Sequence, residues 1–400
     1  MKLLVVCQHY WPEQYRLTDI CEALVQRGHQ VDVVTGLPNY PMGYIFPEYQ
    51  NRKRRKECHN GVNIYRTFTI GRRNNIIFRF LNYFSFALSS CCFIKKLDKD
   101  YDAVLSYQTS PVTMSLAALK YKKRTGKNVL LYCLDLWPAV LSVIGMKPEN
   151  IIYKALKAIS KKVYSSATSI AVGSPGFEDY LKNEFGIPSE KIHYLPQHAE
   201  EIYIESQKIK NGREKYNFVF AGNIGIAQSM PTIIKAAQYL KDDNVVIHII
   251  GDGSELENCK KAARELKADN IRFYGRITAE EILKYYAMAD AMIVSLIDDE
   301  NVSLTLPAKV QSYMAAGKPL IVSANGATSD VVKKAQCGFC APAQNAEALA
   351  DVIRDFISYN EKDKLGQNSY SYYKQNFDKE LFMNNLENMF QDLISGCDAV

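Results

Sequence analysis

The sequence lacks the motifs that mark several common protein classes. It contains no H-E-x-x-H, no G-x-S-x-G and no G-x-x-x-x-G-K-[ST], the motifs of zinc metalloproteases, α/β-hydrolases and P-loop proteins. Its ten cysteines are scattered through 400 residues, which suits a reducing compartment better than a disulfide framework. Cys337 and Cys340 form one C-x-x-C with no second pair at zinc-finger spacing, so we predict a buried strand end there and no metal site.

Targeting signals and extreme charge are also missing. No charged region, apolar region and cleavage site come before the first strand-like run, so we expect no secretory signal. The formal charge is only +6, and we expect no nucleic-acid partner. The basic residues nevertheless concentrate in the first hundred positions, at 52–56, 72–73, 79 and 95–96.

The composition is that of a globular protein with more than one core. Apolar residues make up 47% and charged residues 23% of the chain, and the length suits two domains of roughly 190 residues each. Short β-branched runs alternate with amphipathic stretches, which predicts parallel sheets built from βαβ units. We predict strands at 2–7, 30–35, 62–69, 102–106, 128–133, 168–172, 218–221, 245–250, 271–274, 291–294 and 319–322. The polar segment 196–215 reads as the linker, which gives domains at 1–196 and 216–375.

Two apolar segments need a partner surface. Residues 376–400 form a terminal segment with apolar side chains at helical spacing, which predicts an amphipathic helix. Residues 80–94 are almost continuously apolar and have basic residues on both sides. Three readings stay open for that segment: a helix packed on the first sheet, an interfacial helix on anionic lipid, or a short membrane span.

Glycine turns follow two strands of the second domain. Gly222, Asn223 and Gly225 follow one strand, and Gly251 and Gly253 follow the next. Ligands of parallel α/β sheets bind at the carboxyl ends of strands, where a glycine lets a phosphate or sugar approach the backbone. The alternative is that these glycines serve only the geometry of the turn.

Lys309 is the candidate for an anion-binding cation. Pro307 suits the first position of a helix and Gly317 the position after its end, so Lys309 falls in the first turn. The helix dipole disfavours a cation there, and a bound diphosphate would offset that cost. The alternative is a solvated surface lysine.

The only two tryptophans of the chain follow strands of the first domain. Trp11 lies beside His9 and Glu13, shortly before Arg16, and Trp137 lies beside Asp135. Two tryptophans at strand ends could form a wall against which a sugar stacks, or they could simply seal the sheet.

These pieces resemble family 4 glycosyltransferases over essentially the whole chain, especially bacterial O-antigen and capsule enzymes such as N-acetyl-L-fucosamine transferases. The matching pieces are QHYWPE at 8–13, RGH at 27–29, VDVVT at 31–35, PNYP at 38–41, DLWP at 135–138, FAGNIG at 220–225, IIGDG at 249–253, LPAK at 306–309 and AAGKP at 315–319. The resemblance implies an α/β GT-B fold, in which two Rossmann-like domains face each other across a cleft and the terminal helix crosses back to the N-terminal domain. It also implies a UDP-sugar donor in the C-terminal domain, transfer with retention at the anomeric carbon, and no metal or other cofactor.

The resemblance assigns roles to individual residues. Lys309 would contact the diphosphate, Asp135 would line the reaction centre, and Arg276 would border the uracil. The donor site would comprise Gly222, Asn223, Gly225, Gly251, Gly253, Arg276 and Ser312, and the acceptor side of the cleft His9, Trp11, Glu13, Arg16 and Trp137.

The sequence departs from the family pattern at several positions. The two glutamates of a common Glu-x7-Glu motif, the second of which holds the ribose, are replaced by Leu304 and Ser312. Glu13 and Gln14 stand in place of a Gly-Gly pair, and 226–228 carries no phosphate-binding cation, which would leave the phosphates to Lys309 with help from Arg16 and Arg276.

We therefore expect a transferase that moves an N-acetylated sugar from UDP to a polyprenyl-diphosphate-linked saccharide. Such an enzyme would be cytoplasmic, and its basic N-terminal half would contact the anionic inner face of the cell membrane. Two alternatives are a non-hydrolysing UDP-sugar 2-epimerase and a non-catalytic partner of an active transferase.

Overall fold

Two sheets organise the chain. The computed structural model describes residues 1–73, 75–208 and 215–396. The strands of the first sheet are β1 Lys2–Val6, β2 Gln30–Thr35, β3 Lys56–His59, β4 Val62–Arg66, β5 Ala103–Gln108, β6 Val129–Cys133, β7 Ser169–Val172 and β8 Ile192–Tyr194. The strands of the second sheet are β9 Tyr216–Ala221, β10 Val245–Ile250, β11 Ile271–Gly275, β12 Ala291–Ser295, β13 Leu320–Ser323 and β14 Gly338–Ala341.

Helices connect the strands and cover the sheets. In the first half these are α1 Arg16–Gln26, α2 Ile76–Phe93, α3 Leu116–Thr125, α4 Ile151–Ser166, α5 Gly176–Phe185 and α6 Ile202–Glu205. In the second half they are α7 Met230–Tyr239, α8 Leu256–Glu265, α9 Ala279–Met288, α10 Glu300–Ser303, α11 Ala308–Ala315, α12 Ala327–Ala335, α13 Ala346–Ser358, α14 Lys362–Asn376 and α15 Lys379–Ser395.

The strand order places a switch point in each sheet. The first sheet has the order β3-β4-β2-β1-β5-β6-β7-β8, parallel except for β3, and the second has β11-β10-β9-β12-β13-β14, parallel throughout. The order reverses direction at β1 and at β9, so the loops that leave these strands diverge from their neighbours and open a crevice. The architecture confirms the predicted α/β fold with two Rossmann-like domains.

The central strands are apolar because both of their faces are covered. Side chains Leu3 to Val6 of β1, for example, are fully buried, as expected for parallel strands between helix layers. The eleven strands predicted from apolar runs all occur. The predicted strands do not include β3, β8 and β14, which are edge strands with partly exposed side chains. β3 and β8 carry no continuous apolar run, and β14 was predicted only as a strand end at Cys337 and Cys340.

Helix α15 leaves the second domain and packs on the first. Its buried side chains Phe382, Met383, Leu386 and Phe390 join the core of the first sheet. Asp378 caps its N-terminus by accepting a hydrogen bond from the Glu380 amide. The predicted terminal helix and its return to the N-terminal domain are confirmed.

Helix α2 is the apolar segment predicted at 80–94. One face carries Asn82, Phe86 and Ser90, which are fully buried. By length and composition alone, Ile77–Lys96 could cross a membrane, with a mean hydropathy of 1.4. The buried face fixes this helix in the layer that covers the first sheet.

Candidate functional site

A cleft of about 490 Å³ lies between the two domains. Loops that follow β1, β5, β6 and β7 line one side, and the loop after β9, helix α9 and the start of α11 line the other. The carboxyl ends of both sheets therefore face the same cavity, as parallel α/β domains predict.

Lys309 enters this cleft from the first turn of α11. Its Nζ is buried and lies 3.7 Å from the centroid of the Phe220 ring. None of the residues that the structure describes accepts a hydrogen bond from this nitrogen. Burial lowers the pKa of Lys309 from its ordinary value of 10.5 to about 7. Lys309 is therefore not a solvated surface lysine but a buried amine without a counterion in the described part of the chain.

The turn after β9 makes room for that amine. A Cβ atom at Gly222 would lie 3.0 Å from Lys309 Nζ, and Gly222 has a φ of +150°. The glycine thus permits both the turn and the close approach of the lysine. Pro307 occupies the N-cap of α11 rather than the predicted first helical position, which leaves Lys309 in the first turn as predicted.

Arg16 crosses the cleft from α1 to α11. Its Nη2 donates to Ser312 Oγ at 2.8 Å and to the Ala308 carbonyl at 2.9 Å. Its Nε and Nη2 also donate to the two carboxylate oxygens of Glu200, each at 3.1 Å. Its Nη1 is buried and has no hydrogen-bond partner among the described residues. Arg16 therefore joins both domains and the linker, and it keeps one buried donor unused.

Glu200 is a cleft residue that the sequence analysis missed. It lies in the segment read as a linker, yet its carboxylate lines the cleft and approaches Ser312 Oγ at 3.4 Å. Burial tends to raise the pKa of Glu200, but the charge and hydrogen bonds of Arg16 outweigh it and hold that pKa below its usual value. No local pattern marks this residue, because its partner Arg16 is 184 positions away.

Ser312 is buried, and its hydroxyl is hydrogen-bonded within the protein. It stands where the family pattern has a ribose-binding glutamate, and its hydroxyl accepts from Arg16. The nearest carboxylate to this hydroxyl comes from Glu200. Helix α11 lacks the ribose-binding carboxylate, but Glu200 from the linker segment places a carboxylate beside Ser312.

Asp135 lines the opposite side of the cleft, directly after β6. Its Oδ2 accepts a hydrogen bond of 2.7 Å from Ser110 Oγ, which in turn accepts one of 3.0 Å from Trp137 Nε1. Burial raises the pKa of Asp135, and the Ser110 hydrogen bond offsets part of that rise. The carboxyl group is therefore held in one orientation, with a reduced tendency to ionise.

The two tryptophans do not form a stacking wall. Trp11 stacks on His59 with ring centroids 3.9 Å apart, and Arg66 donates to its carbonyl. Trp137 is buried and seals the end of β6 through its bond to Ser110. The predicted sugar-stacking wall is therefore absent from the described residues. Each tryptophan ring packs within its own domain, which was the alternative prediction.

His9 and Glu13 form a buried pair beside the cleft. His9 Nδ1 lies 2.9 Å from Glu13 Oε2, and Glu13 Oε1 accepts hydrogen bonds from the amides of Asn39 and Tyr40. The pair holds the loop after β2 in place. Both residues were predicted to face the acceptor. Their side chains instead bond to each other and to the loop after β2.

Gly251 and Gly253 serve packing between two turns. A Cβ atom would lie 1.8 Å from the Gly222 carbonyl oxygen if added at Gly251, and 2.2 Å from the Ile224 carbonyl oxygen if added at Gly253. Both distances are far below any real contact, so each position accepts only glycine. The turn after β10 packs against the turn after β9. This packing alone accounts for Gly251 and Gly253, without a role in binding a ligand.

The remaining predicted donor residues lie around the cleft mouth or outside it. Arg276 is exposed, and its Nη2 donates to Gln14 Oε1 of the opposite domain at 3.2 Å. Asn223 is exposed, and the Gly225 amide donates to Gln228 within its own turn. Only Gly222 of this turn lines the cleft.

The described residues contain no cluster of three or more histidine, cysteine, aspartate or glutamate side chains that could hold a metal ion. Cys337 Sγ donates instead to the Val332 carbonyl and Cys340 Sγ to the Ser329 carbonyl. These thiols are buried or half-buried at β14 and make local contacts.

Comparison with known proteins identifies both halves of the chain. Residues 14–197 match Glycosyltransferase Family 4, and residues 202–372 match Glycosyl transferases group 1. The chain is 27% identical to the probable glycosyltransferase WbjE of Pseudomonas aeruginosa over 304 residues, 74% of this chain and 75% of that protein. It is 21% identical to the putative colanic acid biosynthesis glycosyl transferase WcaI of Escherichia coli K12, over 95% of this chain and 97% of that one.

A solved structure shares the fold over the full length. It is that of HepE from Anabaena in complex with UDP, with a TM-score of 0.73 at 13% identity, covering 98% of this chain and all of that one. The chain thus has the GT-B fold, and its two halves carry a Glycosyltransferase Family 4 domain and a Glycosyl transferases group 1 domain.

Proposed function

We propose that this enzyme transfers a sugar, N-acetylated as expected above, from UDP to a lipid-linked saccharide, with retention at the anomeric carbon, in the synthesis of a bacterial surface polysaccharide. The observation that carries the proposal is the buried amine of Lys309, which faces the cleft at the start of α11 without an anionic partner in the described residues. The HepE structure with UDP supports the donor, and the similarity to WcaI, a putative colanic acid biosynthesis transferase, supports the pathway class.

The donor diphosphate would lie between Lys309 and the N-terminus of α11. A helix N-terminus directs backbone N–H groups and a partial positive charge outward, and the lysine adds a full charge when protonated. As the bond from the sugar to the diphosphate breaks, negative charge develops on the departing UDP. Lys309 and the α11 amides would stabilise that charge, and such electrostatic stabilisation accounts for much of the rate enhancement in many enzymes. This arrangement supplies the charge without a metal ion, so we expect chelators to leave the rate unchanged.

Arg16 and Glu200 would complete the donor side of the site. The unused Nη1 donor of Arg16 is available to a phosphate oxygen, and the Glu200 carboxylate beside Ser312 can accept from sugar hydroxyls. Asp135 faces them from the other domain and would orient the acceptor hydroxyl or the transferred sugar. Because these groups come from both domains, closure of the cleft would assemble the site and exclude water.

The decisive experiment is a thermal-shift panel with UDP-, GDP- and dTDP-sugars. A ligand that binds only the folded chain raises its melting temperature, and we expect UDP-sugars to do so most strongly. If neither UDP nor any UDP-sugar shifts the melting temperature, the proposal has no basis. Incubation of the stabilising UDP-sugar without acceptor separates transfer from the alternative chemistry, because a 2-epimerase would convert it under those conditions.

A further inference from the structure

Helix α2 leaves a continuous apolar face uncovered. Ile77, Leu81, Phe84 and Leu88 are exposed by 63%, 42%, 48% and 69%. Their spacing of four, three and four residues places them on one side of the helix. We call these four residues the α2 apolar face.

Further apolar side chains extend this surface. Phe68 is 57% exposed, and Ser89 of α2 donates to its carbonyl at 2.6 Å, which fixes Phe68 beside the helix. Tyr44 is 56% exposed, and the neighbouring Gly43 carbonyl accepts from the Arg73 amide just before α2. An exposed apolar surface of this extent on a globular protein marks an interaction site.

The charges around this surface have a single sign. No aspartate or glutamate occurs between Glu57 and Asp98, a stretch that contains the cations Arg66, Arg72, Arg73, Arg79, Lys95 and Lys96. Of these, only Arg66 forms an ion pair within the described residues, and its partner is Glu57. Arg73 precedes the α2 apolar face, Lys95 and Lys96 follow it, and all three side chains are exposed. Arg72 is half-buried over the rings of Tyr40 and Tyr83, and helical spacing places Arg79 on the same side as the buried Asn82 and Phe86.

We propose that the α2 apolar face inserts into the interface of an anionic lipid bilayer, with the exposed cations Arg73, Lys95 and Lys96 on the lipid headgroups. A helix with one apolar side and cations at both ends suits the plane of a membrane surface. The opposite side of α2 is buried in the domain through Asn82 and Phe86, so the helix lies along the membrane and does not cross it. A protein partner would have to match cations at both ends of this face and supply its own apolar surface, whereas an anionic bilayer provides both.

This placement brings the membrane next to the acceptor side of the cleft. Asn82 of α2 accepts a hydrogen bond of 2.6 Å from Gln8 and donates to Asn39. These two residues follow β1 and β2, at the carboxyl edge of the sheet that opens into the cleft. Membrane binding would bring the enzyme to the lipid-linked acceptor of the proposed function. The binding itself requires neither donor nor acceptor.

Vesicle sedimentation of the full-length chain tests this inference. Vesicles that contain phosphatidylglycerol should bind the chain, and pure phosphatidylcholine vesicles should bind it much more weakly. The variant Phe84→Glu/Leu88→Glu should lose binding by at least about tenfold, because two charges would enter the apolar layer. The variant Lys95→Gln/Lys96→Gln should weaken binding about 30-fold at low salt, because it removes two exposed cations.

Matched variants on the other domain control for general effects. Lys260→Gln/Lys261→Gln removes two cations from α8, and Tyr239→Glu charges an exposed ring on α7. Both should bind vesicles as the unmodified chain does. The altered positions are exposed except for the half-buried Lys260. An unchanged melting temperature should show that each variant is folded.

Three results would overturn the inference: no binding to anionic vesicles, equal binding to neutral ones, or equal losses in the control variants. A dimer in sedimentation equilibrium that Phe84→Glu/Leu88→Glu abolishes would assign the α2 apolar face to a second copy of the chain. None of these measurements uses a nucleotide, so failure of the proposed donor leaves them unaffected.

Discussion

Arg16 Nη2 donates a hydrogen bond of 2.8 Å to Ser312 Oγ and thereby joins the first helix of one domain to α11 of the other. The same guanidinium holds Glu200, so three separated parts of the chain meet at one side chain. This contact lies inside the cleft, at the position where the family pattern has a ribose-binding glutamate. In the proposed function, donor binding and domain closure would therefore share residues.

Arg16→Ala should impair transfer more than Ser312→Ala. The first change removes the interdomain bonds, frees Glu200 and deletes the unused Nη1 donor, and we expect a loss of about 10²-fold in kcat/KM. The second removes one hydrogen bond, worth about 1 kcal/mol, and we expect roughly a fivefold loss. Arg16→Lys should not restore activity, because an ammonium cannot reproduce the forked contact. Equal losses for Ser312→Ala and Arg16→Ala would show that the contact, not the guanidinium, matters.

Lys309→Met should separate activity from stability. Methionine keeps the packing against Phe220 and removes a buried amine whose protonation is costly. We therefore expect an equal or higher melting temperature and a loss of kcat/KM on the order of 10²-fold. Lys309→Ala should lose the same activity and some stability. A variant with unchanged transfer would exclude the lysine from the site.

Binding of a UDP-sugar should take up protons. The pKa of Lys309 is lowered to about 7 in the free chain, so the amine is largely neutral above that pH. A diphosphate beside it favours the charged form and raises its pKa. The affinity should fall by up to about tenfold per pH unit above pH 7. Calorimetry in buffers of different ionisation enthalpy measures the proton uptake, and Lys309→Met should abolish it.

The same group gives folding stability a defined pH dependence. The unfolded chain holds the Lys309 proton with the ordinary pKa of 10.5, which is above the folded value. The unfolded state therefore binds more protons between pH 7 and 10.5, and the contribution of this group to stability increases as the pH rises through that window. Lys309→Met compared with the unmodified chain isolates this contribution in denaturant titrations.

Asp135→Asn should reduce kcat by on the order of 10²-fold if its carboxylate handles a proton or orients a hydroxyl. Ser110→Ala is the informative companion. Loss of the Ser110 hydrogen bond leaves burial unopposed and raises the pKa of Asp135 further. The acidic limb of the pH profile should then move to higher pH in Ser110→Ala. A profile that stays in place would mean that Asp135 does not titrate in the reaction.

Gly251→Ala should destabilise the second domain through packing alone. The added Cβ would overlap the Gly222 carbonyl, and we expect a decrease of about 3 kcal/mol in the free energy of unfolding. Gly126→Ala is the control, since Gly126 also has a positive φ but nothing within 4 Å. Its cost should be about 1 kcal/mol, from the left-handed backbone only. Similar costs for the two variants would contradict the proposed contact between the turns.

Local signals were enough to predict most elements of this fold. Buried parallel strands need apolar side chains on both faces, so β1 or β10 can be read directly from a run of residues. Pro307 and Gly317 predicted the limits of α11 to within a residue, because capping depends on groups within one turn. The edge strand β3 escaped prediction because its polar side chains face solvent.

What the sequence determined by itself was the alternation of strands and helices, the amphipathic terminal helix and the position of Lys309 in the first turn of α11. Only the tertiary structure decided that this lysine is buried without a counterion in the described chain, that Glu200 from the linker lies beside Ser312, and that Trp11 and Trp137 pack within their own domain. The physical reason is distance along the chain. Periodicity and capping involve neighbours a few residues apart. Burial, desolvation and the Arg16 contacts depend on groups that folding brings together from distant positions, such as Arg16 and Ser312, which are 296 residues apart.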